Sequence, residues 1–317
     1  MTLPWAKPAG GGAAPSQARM TVAVVGLGNI GAAIAGSLCA ANRHDVIACS
    51  RKPLQHLILE RDEGTVEVPL RTLTDPAAAT VVDWALLCTK AHLTPAVAPW
   101  LARLCGPRTR VAVLQNGIEQ ARRVGPFIGE ATVVPTIVYY NGERIPPDRV
   151  RLRHVSKDDF AARDDADGRA FAALLAGTPL HVLLSAEFET LAWRKLLINV
   201  IANPMTALTL QRQAVLRHEA IREFSLAVLE EAVVVARAEG VSLAPDEAAR
   251  VMATTLTYPP EAGTSMYFDR LAGRTLEAEP LTGAIVAIGK RHGIPTPLNS
   301  ALLALLRAIS DAAESGR

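Results

Sequence analysis

The first part of the chain alternates short apolar runs with longer stretches of helical composition. The β-branched run TVAVVG at 21–26 precedes LGNIGAAIAGSLCAAN at 27–42, which has the composition of a helix. Further apolar runs of strand length lie at 45–50, 84–89, 110–115 and 131–140, and HVLLS at 181–185 is predicted as the last strand before the helical part. Because each run is apolar throughout, the pattern predicts a parallel sheet that helices cover on both faces.

From Glu187 onward the strand signal fades and helix-length segments follow one another. These segments lie at 187–202, 217–239, 245–256, 278–292 and 298–314. Gly240 and Gly293 follow two of them, where C-terminal helix caps belong. The sequence therefore predicts an α/β domain over 21–186 and an all-helical, substrate-binding domain over 187–317.

Composition and charge narrow the range of functions. The chain has 317 residues, is 50% hydrophobic and carries a formal net charge of +2 without a basic block, so we expect no nucleic acid partner. It contains no apolar run long enough to span a membrane. Residues 1–20 are rich in Gly, Ala and Pro without an apolar signal region, which predicts a flexible tail. The four cysteines form no C-x-x-C pair, which predicts free thiols in a reducing, cytoplasmic compartment.

A glycine-rich turn joins the first predicted strand to the first predicted helix. It has the G-x-G-x-x-G spacing, formed by Gly26, Leu27, Gly28, Asn29, Ile30 and Gly31. Glycines let the backbone turn tightly and approach a pyrophosphate, while the helix N-terminus offers free N–H groups. We therefore predict a Rossmann-type dinucleotide-binding domain, although the same turn could occur in an α/β domain without a ligand.

The end of the second predicted strand bears on the choice of dinucleotide. An NAD site usually has an acidic residue there to bind the ribose 2′-hydroxyl. This chain instead reads Cys49-Ser50-Arg51-Lys52. Arg51 can pair with a 2′-phosphate through two hydrogen bonds, which favours NADP(H) over NAD. The alternative is that Arg51 and Lys52 form an ordinary solvated loop.

Two further polar positions follow predicted strands, where open α/β sheets bind ligands. Lys90 comes after the run at 84–89, and Asn116 comes after the run at 110–115. Both could reach the cofactor, although either could equally be an ordinary polar loop residue.

Three polar residues interrupt the apolar segment WRKLLINVIANPMTAL at 193–208. Lys195, Asn199 and Asn203 are spaced four apart, so they lie nearly in line on one helix face. We call these three residues the polar ladder. Pro204 disfavours helical geometry at the preceding residue, which predicts a helix break beginning at Asn203. A lysine whose pKa is lowered towards 7–8 could protonate a ketone oxygen as hydride arrives, whereas Lys195 could also be a snorkelling lysine beside Arg194.

The chain resembles the ketopantoate reductases, which are NADPH enzymes of the pantothenate pathway, over about residues 21–312. The resemblance rests on GLGNIG at 26–31, the TK of LLCTKAH, the NG of VLQNGIE, and W-R-K-x-x-x-N-x-x-x-N-P at 193–204, together with Ser265-Met266 and Glu277. The chain departs from the family pattern at Gln115, where histidine is frequent, and at Tyr139-Tyr140, where small residues are common.

The resemblance implies a role for each matching residue. Lys195 corresponds to the proton donor, and Glu277 to a glutamate that contacts the nicotinamide ribose near that lysine, where a carboxylate would raise the lysine pKa. The substrate-holding positions are Asn199, Asn203 and Ser265. Further NADPH contacts are Arg51, Lys90 and Asn116.

Together these features predict NADPH-dependent reduction of the C2 ketone of 2-dehydropantoate to (R)-pantoate by a monomer or homodimer. A reductase of another branched 2-keto acid on the same scaffold is the nearest alternative. A β-hydroxyacid dehydrogenase could also use a Lys-x-x-x-Asn pair, but Arg51 argues against it. A non-catalytic NADP(H) sensor would need Arg51 but not the polar ladder or Glu277.

Overall fold

The computed structural model describes residues 18–315, and most of the predicted tail over 1–20 lies outside them. The strands, in chain order, are β1 (Thr21–Val25), β2 (Asp45–Cys49), β3 (His56–Arg61), β4 (Gly64–Pro69), β5 (Arg71–Leu73), β6 (Trp84–Leu87), β7 (Arg110–Val113), β8 (Thr132–Pro135), β9 (Ile137–Val138), β10 (Asn141–Ile145), β11 (Arg149–Arg153), β12 (Phe160–Arg163) and β13 (Val182–Ser185). The helices are α1 (Asn29–Ala41), α2 (Ala98–Leu104), α3 (Gln120–Val124), α4 (Ala166–Leu174), α5 (Phe188–Thr209), α6 (Glu219–Ala238), α7 (Glu247–Leu256), α8 (Ser265–Leu271), α9 (Ala284–His292) and α10 (Pro297–Ser315).

The main sheet is parallel and has the strand order β5-β2-β1-β6-β7-β8. Successive side chains of β1 enter different hydrophobic clusters, with Val22 and Val24 in one and Ala23 and Val25 in the other. Both faces of the sheet are therefore covered, which confirms the predicted α/β fold with a Rossmann-type N-terminal region.

Two smaller sheets were not predicted from the apolar runs. One has the order β10-β11-β3-β4 and the other β13-β12-β9. The run predicted as one strand over 131–140 was wrong, because it splits into β8 and β9 of different sheets at Thr136. Thr136 donates its backbone N–H to Oε1 of Gln120, at 2.9 Å, instead of continuing the ladder.

The C-terminal region is helical, as predicted, and forms around the long helix α5. Its hydrophobic core contains apolar side chains from α5 to α10. The helix break predicted at Asn203 was wrong, because α5 continues through Pro204 to Thr209. The apolar face around Pro204 is buried, so packing offsets the backbone hydrogen bond that proline cannot donate. Within residues 18–315, no helix is long and apolar enough to cross a membrane.

Candidate active site

The glycine turn after β1 requires its first glycine. Gly26 has φ = +95°, which favours glycine over residues with a side chain. Its N–H donates to the carbonyl of Cys49 at the end of β2, at 2.9 Å. A Cβ at Gly26 would lie 2.7 Å from Cγ2 of Thr89, so this turn packs tightly against the segment after β6.

The other two glycines of the turn differ in what surrounds them. A Cβ at Gly31 would lie 1.8 Å from the carbonyl oxygen of Gly26, so a side chain there would break the turn. Gly28 is exposed and a Cβ there would meet nothing within 4 Å. Gly28 also provides no side-chain cap for α1, which leaves the first N–H groups of the helix without a side-chain acceptor. This open, donor-rich turn fits a dinucleotide pyrophosphate.

Contacts from beyond the turn hold it in place, and the sequence did not reveal them. The Tyr140 hydroxyl donates to the carbonyl of Ile30 at 2.7 Å. Asn29 Oδ1 accepts the backbone N–H of Arg144 at 3.1 Å. Leu27 is half-buried and packs, with Ile30, against the core beneath the sheet. Nothing in the apolar pattern marks Tyr140 or Arg144 as a support for the turn.

Arg51 lies at the same edge of the sheet, two residues after β2 ends. It is exposed, and within residues 18–315 its guanidinium makes no ion pair or hydrogen bond. A free cation beside the glycine turn could bind a phosphate on the cofactor's adenosine ribose.

Lys90 forms a cluster of ion pairs that joins the two regions. Its Nζ lies 2.9 Å from Oδ2 of Asp269, in α8, and 3.0 Å from Oε2 of Glu277. Arg274 also donates to Asp269, at 2.8 Å. Burial alone would lower the Lys90 pKa, but Glu277 and Asp269 raise it above its ordinary value. Lys90 therefore stays charged in the described structure, where its Nζ is paired with the carboxylates of Asp269 and Glu277.

Glu277 is buried and accepts hydrogen bonds from three donors in the N-terminal region. They are Nζ of Lys90, the backbone N–H of Ala91 at 2.9 Å, and Nδ2 of Asn116 at 3.2 Å. Burial would raise the Glu277 pKa, yet these donors lower it overall. Gly117 lies in the same junction, where a Cβ would be 2.2 Å from the Pro280 carbonyl oxygen. The segment after β7 thus docks closely on the helical region.

A small pocket lies where this segment faces α5. From the N-terminal region it is lined by Gln115, Asn116, Gly117, Thr136, Ile137 and Val138, and from α5 by Ala192, Lys195, Leu196 and Asn199. The structure therefore brings Lys195 and Asn199 together with Asn116, as the ladder pattern and the strand-end position suggested.

Lys195 occupies this pocket without a charged partner. Within residues 18–315 it makes no ion pair or hydrogen bond, and its Nζ lies 5.2 Å from the centroid of the Tyr139 ring. Burial lowers the Lys195 pKa to about 8. Its neighbour Arg194 points elsewhere, with Nε 2.7 Å from Oε1 of Glu247. The sequence predicted that burial would lower this pKa and that a nearby Glu277 carboxylate would raise it. In the structure burial lowers the pKa, and Glu277 pairs with Lys90 instead.

The remaining substrate positions lie further along the same helix and on α8. Asn203 is buried, and its Nδ2 has no hydrogen-bond partner in the part of the chain that the structure describes. Ser265 is exposed at the first residue of α8. The preceding Thr264 caps α8 and lies 2.7 Å, oxygen to oxygen, from the hydroxyl of Thr206 in α5. Neither Asn203 nor Ser265 lines the pocket around Lys195. The contact between Thr264 and Thr206 fixes the start of α8 against α5, the helix that carries the polar ladder.

Comparison with known protein families agrees with both regions. The family model described as ketopantoate reductase PanE/ApbA matches residues 22–164, and the one for its C-terminal part matches residues 187–310. The chain belongs to the ketopantoate reductase family. It is therefore an oxidoreductase, and the family's cofactor is a nicotinamide dinucleotide.

The similarity to relatives and to solved structures extends over nearly the whole chain. A 2-dehydropantoate 2-reductase of Caulobacter vibrioides is 36% identical over 91% of this chain and 98% of its own length. One of Mycobacterium tuberculosis is 38% identical over 92% and 98%. A ketopantoate reductase structure from Ralstonia eutropha superimposes with a TM-score of 0.82 at 31% identity, over 93% of this chain and all of that one. A dimeric ketopantoate reductase from Staphylococcus aureus gives 0.81 at 26%, over 92% and 99%.

Proposed function

We propose that this ketopantoate reductase family member reduces the C2 ketone of 2-dehydropantoate to (R)-pantoate with NADPH. The observation that carries the proposal is Lys195, which lies in a pocket between the two regions and has a pKa lowered to about 8. It has no ion-pair partner among residues 18–315. The family relationship and the 2-dehydropantoate 2-reductase names of its relatives support the same reaction. The reaction belongs to pantothenate synthesis, in the cytoplasm.

The turn after β1 and Arg51 together support NADP(H) as the cofactor. Gly28 leaves space over the N-terminus of α1 for the pyrophosphate. Arg51 supplies a free guanidinium at the end of β2, where an NAD site would have an acid. Bound there, the reduced cofactor supplies the hydride.

Lys195 supplies the proton that the product hydroxyl needs. A ketone oxygen gains negative charge as hydride reaches its carbon, so an ammonium within hydrogen-bonding distance both stabilises that charge and donates the proton. An amide cannot do this, because amides donate hydrogen bonds without ionising. A pKa of about 8 leaves most of the Lys195 side chain protonated at neutral pH, while making it a stronger acid than an ordinary lysine.

Polar groups of α5 and α8 are proposed to hold the substrate. Asn199 lines the pocket, and the unpartnered Nδ2 of buried Asn203 is a donor that a substrate carboxylate or hydroxyl would satisfy. Ser265, at the start of α8, is proposed to contact the carboxylate. Glu277, Lys90 and Asn116 are proposed to contact the cofactor, and their present hydrogen bonds fix the segment that would receive it.

A substrate panel tests this function. NADPH oxidation is followed with 2-dehydropantoate, with 3-methyl-2-oxobutanoate and with an aryl 2-keto acid. The second of these keeps the two methyl groups on C3 but has hydrogen in place of the hydroxymethyl group. A site that hydrogen-bonds the hydroxyl should favour 2-dehydropantoate in kcat/KM by ~10²-fold or more. Equal or higher kcat/KM with either competitor would assign the enzyme to another keto acid.

A further inference from the structure

Tyr139 follows β9 and presents its ring to the ammonium of Lys195. The distance from Nζ to the ring centroid is 5.2 Å, within the range of a cation–π contact. Tyr139 is half-buried, and the two residues of β9 that precede it, Ile137 and Val138, line the pocket. The ring therefore lies at the edge of the candidate active site.

No other group facing Lys195 provides a compensating charge. The pocket residues from the segment after β7 and from β9 are uncharged, and so is Asn199 on its own helix. Glu277 is engaged by Lys90 and Asn116, and Arg194 pairs with Glu247. Within the described part of the chain, Lys195 Nζ makes no hydrogen bond or ion pair, and its cation–π contact is with the Tyr139 ring.

We propose that Tyr139 is a positioning residue, whose ring holds the Lys195 ammonium in the pocket and favours its charged form. Its importance for turnover rests on the proposed role of Lys195 as proton donor. The hydroxyl is not the active part, because burial, with Asp158 and Tyr258 nearby, raises the Tyr139 pKa and keeps the phenol protonated.

A direct titration of Lys195 tests the contact independently of catalysis. The sequence has only six lysines, Lys7, Lys52, Lys90, Lys157, Lys195 and Lys290, so the side-chain signals of 13C-lysine protein are few. The Lys195→Arg variant assigns the Lys195 signal. Tyr139→Leu should lower the Lys195 pKa by about half a unit to one unit, the equivalent of one partly desolvated cation–π contact.

Two matched variants separate the ring from its hydroxyl and from its surroundings. Tyr139→Phe keeps the ring and should leave the Lys195 pKa nearly unchanged. Tyr258→Phe alters a tyrosine that raises the Tyr139 pKa, and should also leave the Lys195 pKa unchanged. If Tyr139→Leu does not fold, as judged by circular dichroism, Tyr139→Met serves in its place.

The outcomes separate this inference from the proposed function. An unchanged Lys195 pKa in Tyr139→Leu would overturn the inference, as would an equal shift in Tyr139→Phe. In Tyr139→Leu, the alkaline limb of kcat/KM for ketone reduction should move to lower pH together with the titrated Lys195 pKa. A shift in the titration without a shift in that limb would support the contact and contradict Lys195 as the proton donor.

Discussion

Two lysines at the junction between the sheet and the helices have opposite surroundings. Lys90 contacts two buried carboxylates, and its pKa is raised above the ordinary lysine value. Among residues 18–315, Lys195 forms no ion pair with a carboxylate, and burial lowers its pKa to about 8. Both are lysines at the junction of the two regions, yet of the two only Lys195 can lose its proton near neutral pH.

The difference shows how environment divides two roles between identical side chains. A paired lysine stabilises the contact between the two regions, because separating it would leave buried carboxylates without a partner. An unpaired, half-buried lysine is costly for folding and available for chemistry. The predictions below test this division, beginning with the largest expected effect.

Removing the acid should have the largest effect. Lys195→Ala should lower kcat by ~10²–10⁴, since general acid catalysis is typically worth that much. Cofactor affinity, measured by fluorescence titration, should stay close to that of the native enzyme because the glycine turn lies on the other region. A variant with near-native kcat would show that the polar ladder is structural and that the proton comes from another group.

Breaking the ion-pair cluster around Lys90 should lower the free energy of unfolding. Lys90→Met should lower the free energy of unfolding by about 2–3 kcal/mol, because it leaves Glu277 and Asp269 with one fewer cationic partner, although Lys90 is partly exposed. The matched change Lys195→Met should be neutral or stabilising by up to about 2 kcal/mol, because it removes an unpaired ammonium. Urea unfolding measures both, and equal losses would contradict the division of roles.

Cofactor choice should depend on Arg51. Losing a charge-assisted contact to the 2′-phosphate should weaken NADPH binding by ~1.5–3 kcal/mol in Arg51→Ala. NADH has no such phosphate, so its affinity serves as the internal control. Comparable weakening of both cofactors, measured by calorimetry, would remove Arg51 from the phosphate site.

The smallest expected effect is on substrate affinity. Asn203→Ala should raise KM for 2-dehydropantoate by about tenfold, the equivalent of one lost hydrogen bond, without loss of stability, because Nδ2 has no partner in the described structure. Asn299→Ala is the contrasting variant, since its Nδ2 donates to Val228 and Glu231 at 3.1 and 2.9 Å. Asn299→Ala should be less stable by about 1–2 kcal/mol. An unchanged KM in Asn203→Ala would exclude that residue from the site.

Much of the fold could be predicted from periodicity, and what was missed has physical reasons. The continuous apolar strands and the glycine turn predicted the parallel sheet. The β3–β4 and β10–β11 hairpins were missed because charged residues interrupt them on their exposed faces. The break expected before Pro204 did not occur, because burial of α5 outweighs local propensity.

The site was predictable only in part, because sequence spacing reports neighbours on one element. The four-residue step placed Lys195 and Asn199 on one face, and both line the pocket. The partners of Glu277 could not be read from spacing, since Lys90 lies 187 positions away in the chain. The ring of Tyr139 over Lys195 likewise depends on how β9 packs against α5.

The most direct test of Lys195 as proton donor is the pH dependence of kcat/KM for ketone reduction at saturating NADPH, which reports groups ionising before the keto acid binds. Lys195 is protonated below its pKa, so the account predicts a constant value at neutral pH and a fall of about tenfold per pH unit above about pH 8. In Lys195→Ala the residual rate should be low and lack this limb. A native profile that stays level well above pH 8, or a limb that persists in Lys195→Ala, would contradict the assignment.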